Sequence, residues 1–153
     1  MDEPLRQPHF DAPWSSEIIS WSRTRGRLLL GHGESRAATV ELQRCAVGRL
    51  RHSYPVGARD TEVRLAELSG SGALTDVLRS VAAAIREAEP LCRKVVYAVE
   101  SDGGRPATVA AVEAAGFRYV VDVDVADAEL SLFVCEPDWV TGADIDLDSV
   151  PGC

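Results

Sequence analysis

The chain has 153 residues, of which 46% are hydrophobic and 26% are charged, so it is long enough for one domain with a sizeable core. Its formal net charge of -8 argues against a general nucleic-acid-binding protein, and no apolar run approaches the roughly 20 residues that span a bilayer. The N-terminus is acidic and has no apolar segment, so we expect a cytoplasmic protein without a membrane partner. The cysteines and histidines lack ligand-like spacing, so we expect no metal site.

The first half of the chain is predicted to be an antiparallel meander. Ile18, Ile19 and Trp21 are expected to form a short helix that packs on the body of the protein. Short apolar or alternating runs then predict strands, with Leu50 inward and Arg49 and Arg51 on the opposite face of the third. These strands are expected at residues 28–30, 38–43, 46–53 and 62–68.

The second half predicts a helix, a strand, a second helix and a hairpin. One face of the first helix is apolar, and Pro90 ends that helix. The continuous apolar run 95–99 is typical of a strand covered on both faces. The second helix starts near Pro106 and ends before Gly116, and the runs 121–125 and 130–134 alternate as a hairpin does. The apolar face of the first helix consists of Leu74, Val77, Leu78, Val81 and Ile85.

This order of elements predicts a mixed sheet with helices packed on it, an α+β or α/β sandwich. We expect a single domain over residues 1–136. The segment 137–153 is acidic and is expected to be a flexible tail.

The turn between the strand 62–68 and the first helix reads Ser-Gly-Ser-Gly. A glycine-rich turn from a strand into a helix aims unpaired backbone N–H groups at one point, which suits a phosphate. The alternative is a plain tight turn in which Ser71 or Thr75 caps the helix.

The ordered elements, this turn and the Gly116-Phe117 end of the second helix resemble the GNAT superfamily of acyl-CoA-dependent N-acetyltransferases over roughly residues 62–136. Gly70 and Gly72 match the two small positions of the family's pyrophosphate loop. Glu67 takes the Gln/Arg slot of that loop, where a carboxylate facing the pyrophosphate would repel it. The resemblance implies a GNAT-like mixed, mostly antiparallel sheet with helices packed on both faces.

Three further departures mark the chain as resembling a divergent member of the family. Arg105 stands where the family often has Asn, and Val112 stands where it has the Tyr that protonates the leaving thiolate. The N-terminal region is shortened, being too short for the two helices that usually cap the acceptor site.

The resemblance implies acetyl-CoA as cofactor and an unidentified amine, in a small molecule or a protein, as acceptor. The pantetheine arm would lie between the strands 62–68 and 94–99, and Arg105 could bind a CoA phosphate or cap its own loop. A homodimer is also compatible with the family. The residues expected to hold the cofactor are Leu68, Ser69, Gly70, Ser71, Gly72, Ala73 and Arg105.

Amine acetylation needs a base that deprotonates the ammonium, for which Glu62, Glu67 and His52 are the candidates. The alternative for each is a solvated strand residue. Tyr97 and Tyr119 could replace the missing acid, or they are core or edge aromatics. Two other functions stay open at this point. One is a GNAT-like ligand-binding or interaction module that no longer transfers acetyl groups. The other is an unrelated α+β protein, in which the strands 62–68 and 94–99 would not separate from each other.

Overall fold

The computed structural model describes residues 4–68, 73–101, 105–125 and 128–136, with the side chains of Ala73 and Arg105 outside this description. The expected tail 137–153 lies outside the described residues. The described strands form one sheet in the order β1-β2-β3-β4-β5-β7-β6. The elements are β1 (Trp14–Trp21), β2 (Arg25–His32), β3 (Ser35–Arg44), a 3-10 helix (Cys45–Val47), β4 (Thr61–Ala66), α1 (Ala73–Ala88), β5 (Val95–Glu100), α2 (Arg105–Ala114), β6 (Arg118–Val125) and β7 (Ala128–Cys135).

The antiparallel meander of the first half is confirmed, but it begins with a strand in place of the predicted short helix. The pairing of β1 with β2 shifts register between Ile18 and Ser20. Such a bulge adds one residue to a strand. It leaves Ile18 and Trp21 both packed against the core, while Ile19 is 50% exposed. The helix-like spacing of these apolar residues is therefore a consequence of the bulge, and the helix prediction is wrong.

The strand predicted at residues 46–53 is also wrong, because residues 45–60 form a loop. The edge of β3 beyond β2 is already paired with β4, so no edge remains for another strand there. The loop closes its own turns instead, with Gly48 O accepting a hydrogen bond from Arg51 N at 3.2 Å and Leu50 O accepting one from Ser53 N at 2.9 Å. Leu50 is fully buried, as predicted.

Asp60 fixes the far end of this loop. Its Oδ2 accepts hydrogen bonds from the Tyr54 hydroxyl and from Gly57 N, both at 2.9 Å. The backbone oxygen of Asp60 also accepts a bond from Cys45 N at 2.9 Å, which closes the neck of the loop. The loop is therefore held in one conformation over the sheet.

Both predicted helices are confirmed. The predicted apolar face of α1 is buried apart from Leu74, which is half-buried, and the helix ends two residues before Pro90. Gly116 follows α2 with a φ of 98°, in the left-handed region that favours glycine after a helix. Phe117 N donates to Val112 O at 3.3 Å, and the Phe117 ring is buried at this helix end.

The mixed, mostly antiparallel sheet is confirmed, with one difference in the layers. Among the described residues, both helices pack on the same face. Thr75 Oγ1 donates to Ala111 O at 2.9 Å, and Arg79 Nη2 donates to Ala114 O at 2.9 Å, so α1 and α2 contact each other. Residues 4–68 form no α-helix, so the expected shortened N-terminal region has no helix pair in that range.

The opposite face carries a second apolar cluster with no residue from either helix. The loop 45–60 covers it through Leu50, Tyr54 and Val56. We call the two sides of the sheet the helix face and the loop face. The buried members of the second cluster are Cys45, Leu50, Val96, Leu130, Leu132 and Val134. Neither described helix has the length and apolar character required to cross a membrane.

Candidate active site

β4 and β5 pair at their beginnings and then separate. The parallel ladder joins Thr61 to Val95, Glu62 to Val96 and Val63 to Tyr97, and within the described strands it goes no further. The outer neighbours β3 and β7 remain paired with residues 64–66 and 98–100. The facing edges of these two segments therefore present backbone N–H and C=O groups without a strand between them. We call this opening the splay.

A cleft of about 280 Å³ fills the splay. β4 contributes Val63, Arg64 and Leu65 to its walls, and β5 contributes residues 97–100. Arg49 lines the cleft from the loop 45–60, and Thr108 lines it from α2. The cleft is therefore reached by side chains from both faces of the sheet.

Glu62 lies at the base of the splay with its carboxylate bound to Arg49. Arg49 Nη2 lies 2.7 Å and Arg49 Nε 3.2 Å from Oε2 of Glu62, and Nε lies 3.5 Å from Oε1. Glu62 is only 1% exposed, whereas about a quarter (26%) of the Arg49 side chain is exposed. A buried carboxylate is costly unless it is paired, so Arg49 is what allows a charged Glu62 at this position.

Glu67, the second predicted base, is turned away from the splay. It follows β4 with a φ of 52°, which is uncommon for a residue with a side chain. Its Oε1 accepts a hydrogen bond from Thr39 Oγ1 at 3.4 Å. Thr39 belongs to β3, which flanks β4 on the side opposite β5. The carboxylate is therefore directed towards β3 and away from the cleft, while the turn at which repulsion of a pyrophosphate was predicted lies outside the described residues.

His52, the third predicted base, lies in the loop 45–60 and not on a strand. It lines an open groove of about 930 Å³ on the loop face. Arg49, Arg51 and Ser53 share its wall, and the opposite wall is the β6–β7 hairpin with Asp124. Arg49 lines both the cleft and the groove, so the two adjoin at this residue.

Tyr97 lines the cleft from the helix face, because it packs against the cluster that contains α1 and α2. Burial, with a smaller contribution from the charge of Glu100, raises the pKa of Tyr97 above its ordinary value. Its phenol is therefore a proton donor in the neutral range. Tyr119 is 47% exposed, packs edge-on against Phe133 on the helix face and does not line the cleft.

The predicted cofactor-binding turn lies outside the described residues, as do the side chains of Ala73 and Arg105. Leu68 is described and is exposed after the end of β4. Val112 is fully buried in the core on α2. The part of the predicted turn that lies outside the description is Ser69, Gly70, Ser71 and Gly72.

The sequence reasoning missed Arg49 and Thr108 as lining residues of the cleft. A signal for Arg49 was available, since residues 44–59 contain four arginines and no acid in a chain of net charge -8. Thr108 gave no comparable signal. Over the described ranges, no group of three or more His, Cys, Asp or Glu residues could hold a metal ion.

Comparison with solved structures identifies the fold. An uncharacterized protein from Bacillus halodurans matches with a TM-score of 0.72 at 13% identity, over 88% of this chain and 92% of that one. The aminoglycoside acetyltransferase AAC(6')-Ib with coenzyme A and kanamycin matches with a TM-score of 0.63 at 12% identity. Its complex with acetyl-CoA gives 0.65 at 11%. The chain has a GNAT-like fold.

The two acetyltransferase complexes cover 74% and 81% of this chain, and 67% and 71% of their own chains are matched. No protein-family model matches the sequence, and no curated protein does so either. At these identities the likeness establishes the fold alone. The described strands β4 and β5 do separate, whereas the alternative of an unrelated α+β protein was expected to lack this separation.

Proposed function

We propose that this GNAT-like chain is an acyl-CoA-dependent N-acetyltransferase that acts on an amine. The observation that carries the proposal is the splay between β4 and β5 with the ion pair of Glu62 and Arg49 at its base. The splay exposes strand edges to a ligand, and the ion pair puts a carboxylate beside it. A structural role alone would not require the two strands to separate.

The residues around the splay fit an acyl-CoA ligand. The free backbone groups of residues 64–66 and 98–100 would bond the amides of the pantetheine arm, as an added strand would. The turn of Ser69, Gly70, Ser71 and Gly72, with Leu68 and Ala73 at its ends, would hold the pyrophosphate at the start of α1. Arg105 would bind a further phosphate. Acetyl-CoA supplies the acetyl group as a reactive thioester.

Side chains in and beside the cleft would supply the proton transfers. Glu62, directly or through a water, would take a proton from the acceptor ammonium, and His52 is the second candidate. The amine nitrogen would form a bond to the acetyl carbon as the carbon–sulfur bond breaks, and it would release its second proton to the solvent, from which Tyr97 is afterwards reprotonated. Tyr97 would donate its phenolic proton to the departing thiolate. Base and acid would then act from opposite faces of the sheet.

A second function is favoured by two observations at the same site. Val112 is fully buried where the family's acid would stand, and Arg49 engages the carboxylate of Glu62. A chain with these features could bind an acyl-CoA ligand without transferring its acetyl group. It would then be a ligand-binding or interaction module.

Both proposed functions require that the chain binds acetyl-CoA, and calorimetric titration with acetyl-CoA tests this binding. We expect micromolar binding, weakened at least tenfold by Gly72→Glu, which puts a negative charge at the proposed pyrophosphate turn. Arg27→Gln on β2 makes a charge change of the same size and sign away from the cleft, so its affinity should match that of the unmodified protein. Absence of heat at high micromolar acetyl-CoA would sink the proposal.

Release of the CoA thiol separates the two functions. If the chain is an acetyltransferase, at least one amine must accelerate thiol release over the rate without amine. If a broad panel of amines leaves the rate unchanged while acetyl-CoA binds, the module is the better account.

A further inference from the structure

We propose that the groove on the loop face receives the acceptor, and that it selects an amine that also carries an anionic group, a carboxylate or a phosphate. This inference rests on the proposed acetyl transfer and names its substrate class. The groove is bounded by residues 49–53 of the loop and by the β6–β7 hairpin.

The position of the groove suits an acceptor site. Val123 and Val125 line it and also pack against the second cluster, so it lies on the loop face. Glu62 points to the same face, because its ladder partner Val96 belongs to that cluster. Arg49 borders both groove and cleft and holds the Glu62 carboxylate. An amine in the groove would therefore approach the splay on the side of the candidate base.

The loop wall of the groove carries positive charge that is not neutralised by the described residues. Arg51 is exposed and donates from Nη1 to Gly48 O at 3.2 Å, and no carboxylate in the described ranges lies within ion-pair distance of it. His52 beside it is exposed too and adds ring nitrogens. An anionic group placed here would gain charge-assisted hydrogen bonds from Arg51, and a cation would be repelled.

The hairpin side chains that face the groove, as far as the structure describes them, are apolar. Val123, Val125 and Ala128 form this surface, whereas Asp124 alternates with the two valines and its carboxylate points to the other face of the sheet. The Arg51 guanidinium on the loop wall complements an anionic group, and the ammonium of the same molecule would lie towards Glu62. A compound with several ammonium groups meets Arg51 here, and among the described residues Glu62 is already paired with Arg49. The aminoglycosides named for the AAC(6')-Ib structures are therefore poor candidates for this groove.

Four small primary amines test the selection by charge. They are O-phosphoethanolamine, β-alanine, ethanolamine and 1,3-diaminopropane, which differ mainly in the charge of the second group. We expect kcat/KM for thiol release to be at least tenfold higher for one of the two anionic amines than for ethanolamine, and lowest for the diamine. The ratio of phosphoethanolamine to β-alanine distinguishes a phosphate from a carboxylate site.

Arg51→Glu reverses the charge of the loop wall. We expect it to lower kcat/KM for the preferred anionic amine at least tenfold and to raise that for the diamine, with the affinity for acetyl-CoA unchanged. Arg27→Glu makes the same change on β2, outside the groove, and should leave the order of the amines as it was.

The outcomes separate this inference from the proposed function. Transfer that prefers the diamine, or that ignores Arg51→Glu, overturns the inference and leaves acetyl transfer standing. If no amine reacts, NMR still tests whether the groove binds an anionic amine. Isotope-labelled protein is titrated with O-phosphoethanolamine and, separately, with the diamine. Shifts of the Arg51 and His52 signals with the anionic amine alone support the groove, and their absence overturns it.

Discussion

Arg49 and Glu62 join the loop 45–60 to the base of the splay, with Nη2 of Arg49 2.7 Å from Oε2 of Glu62. The carboxylate is buried, and the guanidinium is in part exposed and lines both the cleft and the groove. One ion pair thus connects the proposed cofactor cleft, the proposed acceptor groove and the candidate base. The loop is therefore part of the proposed site as well as the cover of the second cluster.

Glu62→Gln tests whether this carboxylate acts as the base. We expect kcat for acetyl transfer to fall about a hundredfold or more, because general base catalysis is worth roughly 10²–10⁴. Calorimetry should give an unchanged affinity for acetyl-CoA, and near-UV circular dichroism should show the fold intact. An unaltered kcat in a folded variant would remove Glu62 from the mechanism and favour His52.

Tyr97→Phe tests the proposed acid. The variant keeps the ring but lacks the phenolic proton, so we expect kcat to fall about a hundredfold or more. Tyr119→Phe is the matched control, since Tyr119 does not line the cleft, and its kcat should be unchanged. Equal effects of the two substitutions would contradict the assignment.

The pH dependence follows from the direction of the shift at Tyr97. Burial raises the pKa of this phenol above its ordinary value of 10.0, so the donor stays protonated through the neutral range. We therefore expect the decline of kcat that reflects loss of this proton to have its midpoint above pH 10.0. A decline that begins near pH 8 and disappears in Tyr97→Phe would show the opposite shift.

Arg44 and Glu89 form a buried ion pair that should matter for stability. Arg44 is 1% exposed, donates to both carboxylate oxygens of Glu89, and also donates to Thr61 Oγ1 at 3.0 Å. Glu89→Gln leaves a buried guanidinium without its counter-charge, for which we expect a loss of about 3–5 kcal/mol in the free energy of unfolding. Urea denaturation measures this loss.

The exposed pair of Asp76 and Arg79, 3.9 Å apart on α1, is the control for that measurement. Exposed pairs contribute little, so Asp76→Asn should change the free energy of unfolding by less than about 1 kcal/mol. If Glu89→Gln and Asp76→Asn lowered the free energy of unfolding by similar amounts, burial would not explain the contribution of the ion pair of Arg44 and Glu89.

Cys92 should make the protein sensitive to alkali. Burial, followed by the nearby charge of Glu89, raises the pKa of the Cys92 thiol from 9.0 to about 12. The unfolded chain then ionises at a lower pH than the folded one, so stability is retained below pH 9 and falls as pH rises from 9 towards 12. We expect the free energy of unfolding of Cys92→Ala, measured by urea denaturation at several pH values, to fall less steeply with pH than that of the unmodified protein. The difference between the two slopes should be up to about 1.4 kcal/mol per pH unit. Identical slopes would contradict the shift.

The sequence predicted the helices and most strands because their patterns are local. The apolar face of α1 and the left-handed Gly116 need no knowledge of the rest of the chain. The two failures arose where tertiary pairing decides the structure. The bulge at Ile18 is visible only through the register with β2, and the segment 46–53 is a loop because β3 has no free edge.

The site residues, too, could be predicted where a local pattern marks them and not where tertiary contacts place them. Glu62 was identified because its strand leads into the glycine-rich turn. Its partner Arg49 was missed as a site residue, because a loop brings it to β4 from a position 13 residues away. The direction of the Glu67 side chain depends on a positive φ and on Thr39, and neither follows from a strand pattern.

Hydrogen exchange of the backbone amides with and without acetyl-CoA tests the central claim most directly, because it locates the ligand. If acetyl-CoA lies in the splay, amides of residues 64–66 and 98–100 that face the opening gain protection, while β1 at the edge of the sheet is unchanged. Protection that is absent from both segments at saturating acetyl-CoA, or that appears only elsewhere, would contradict the account.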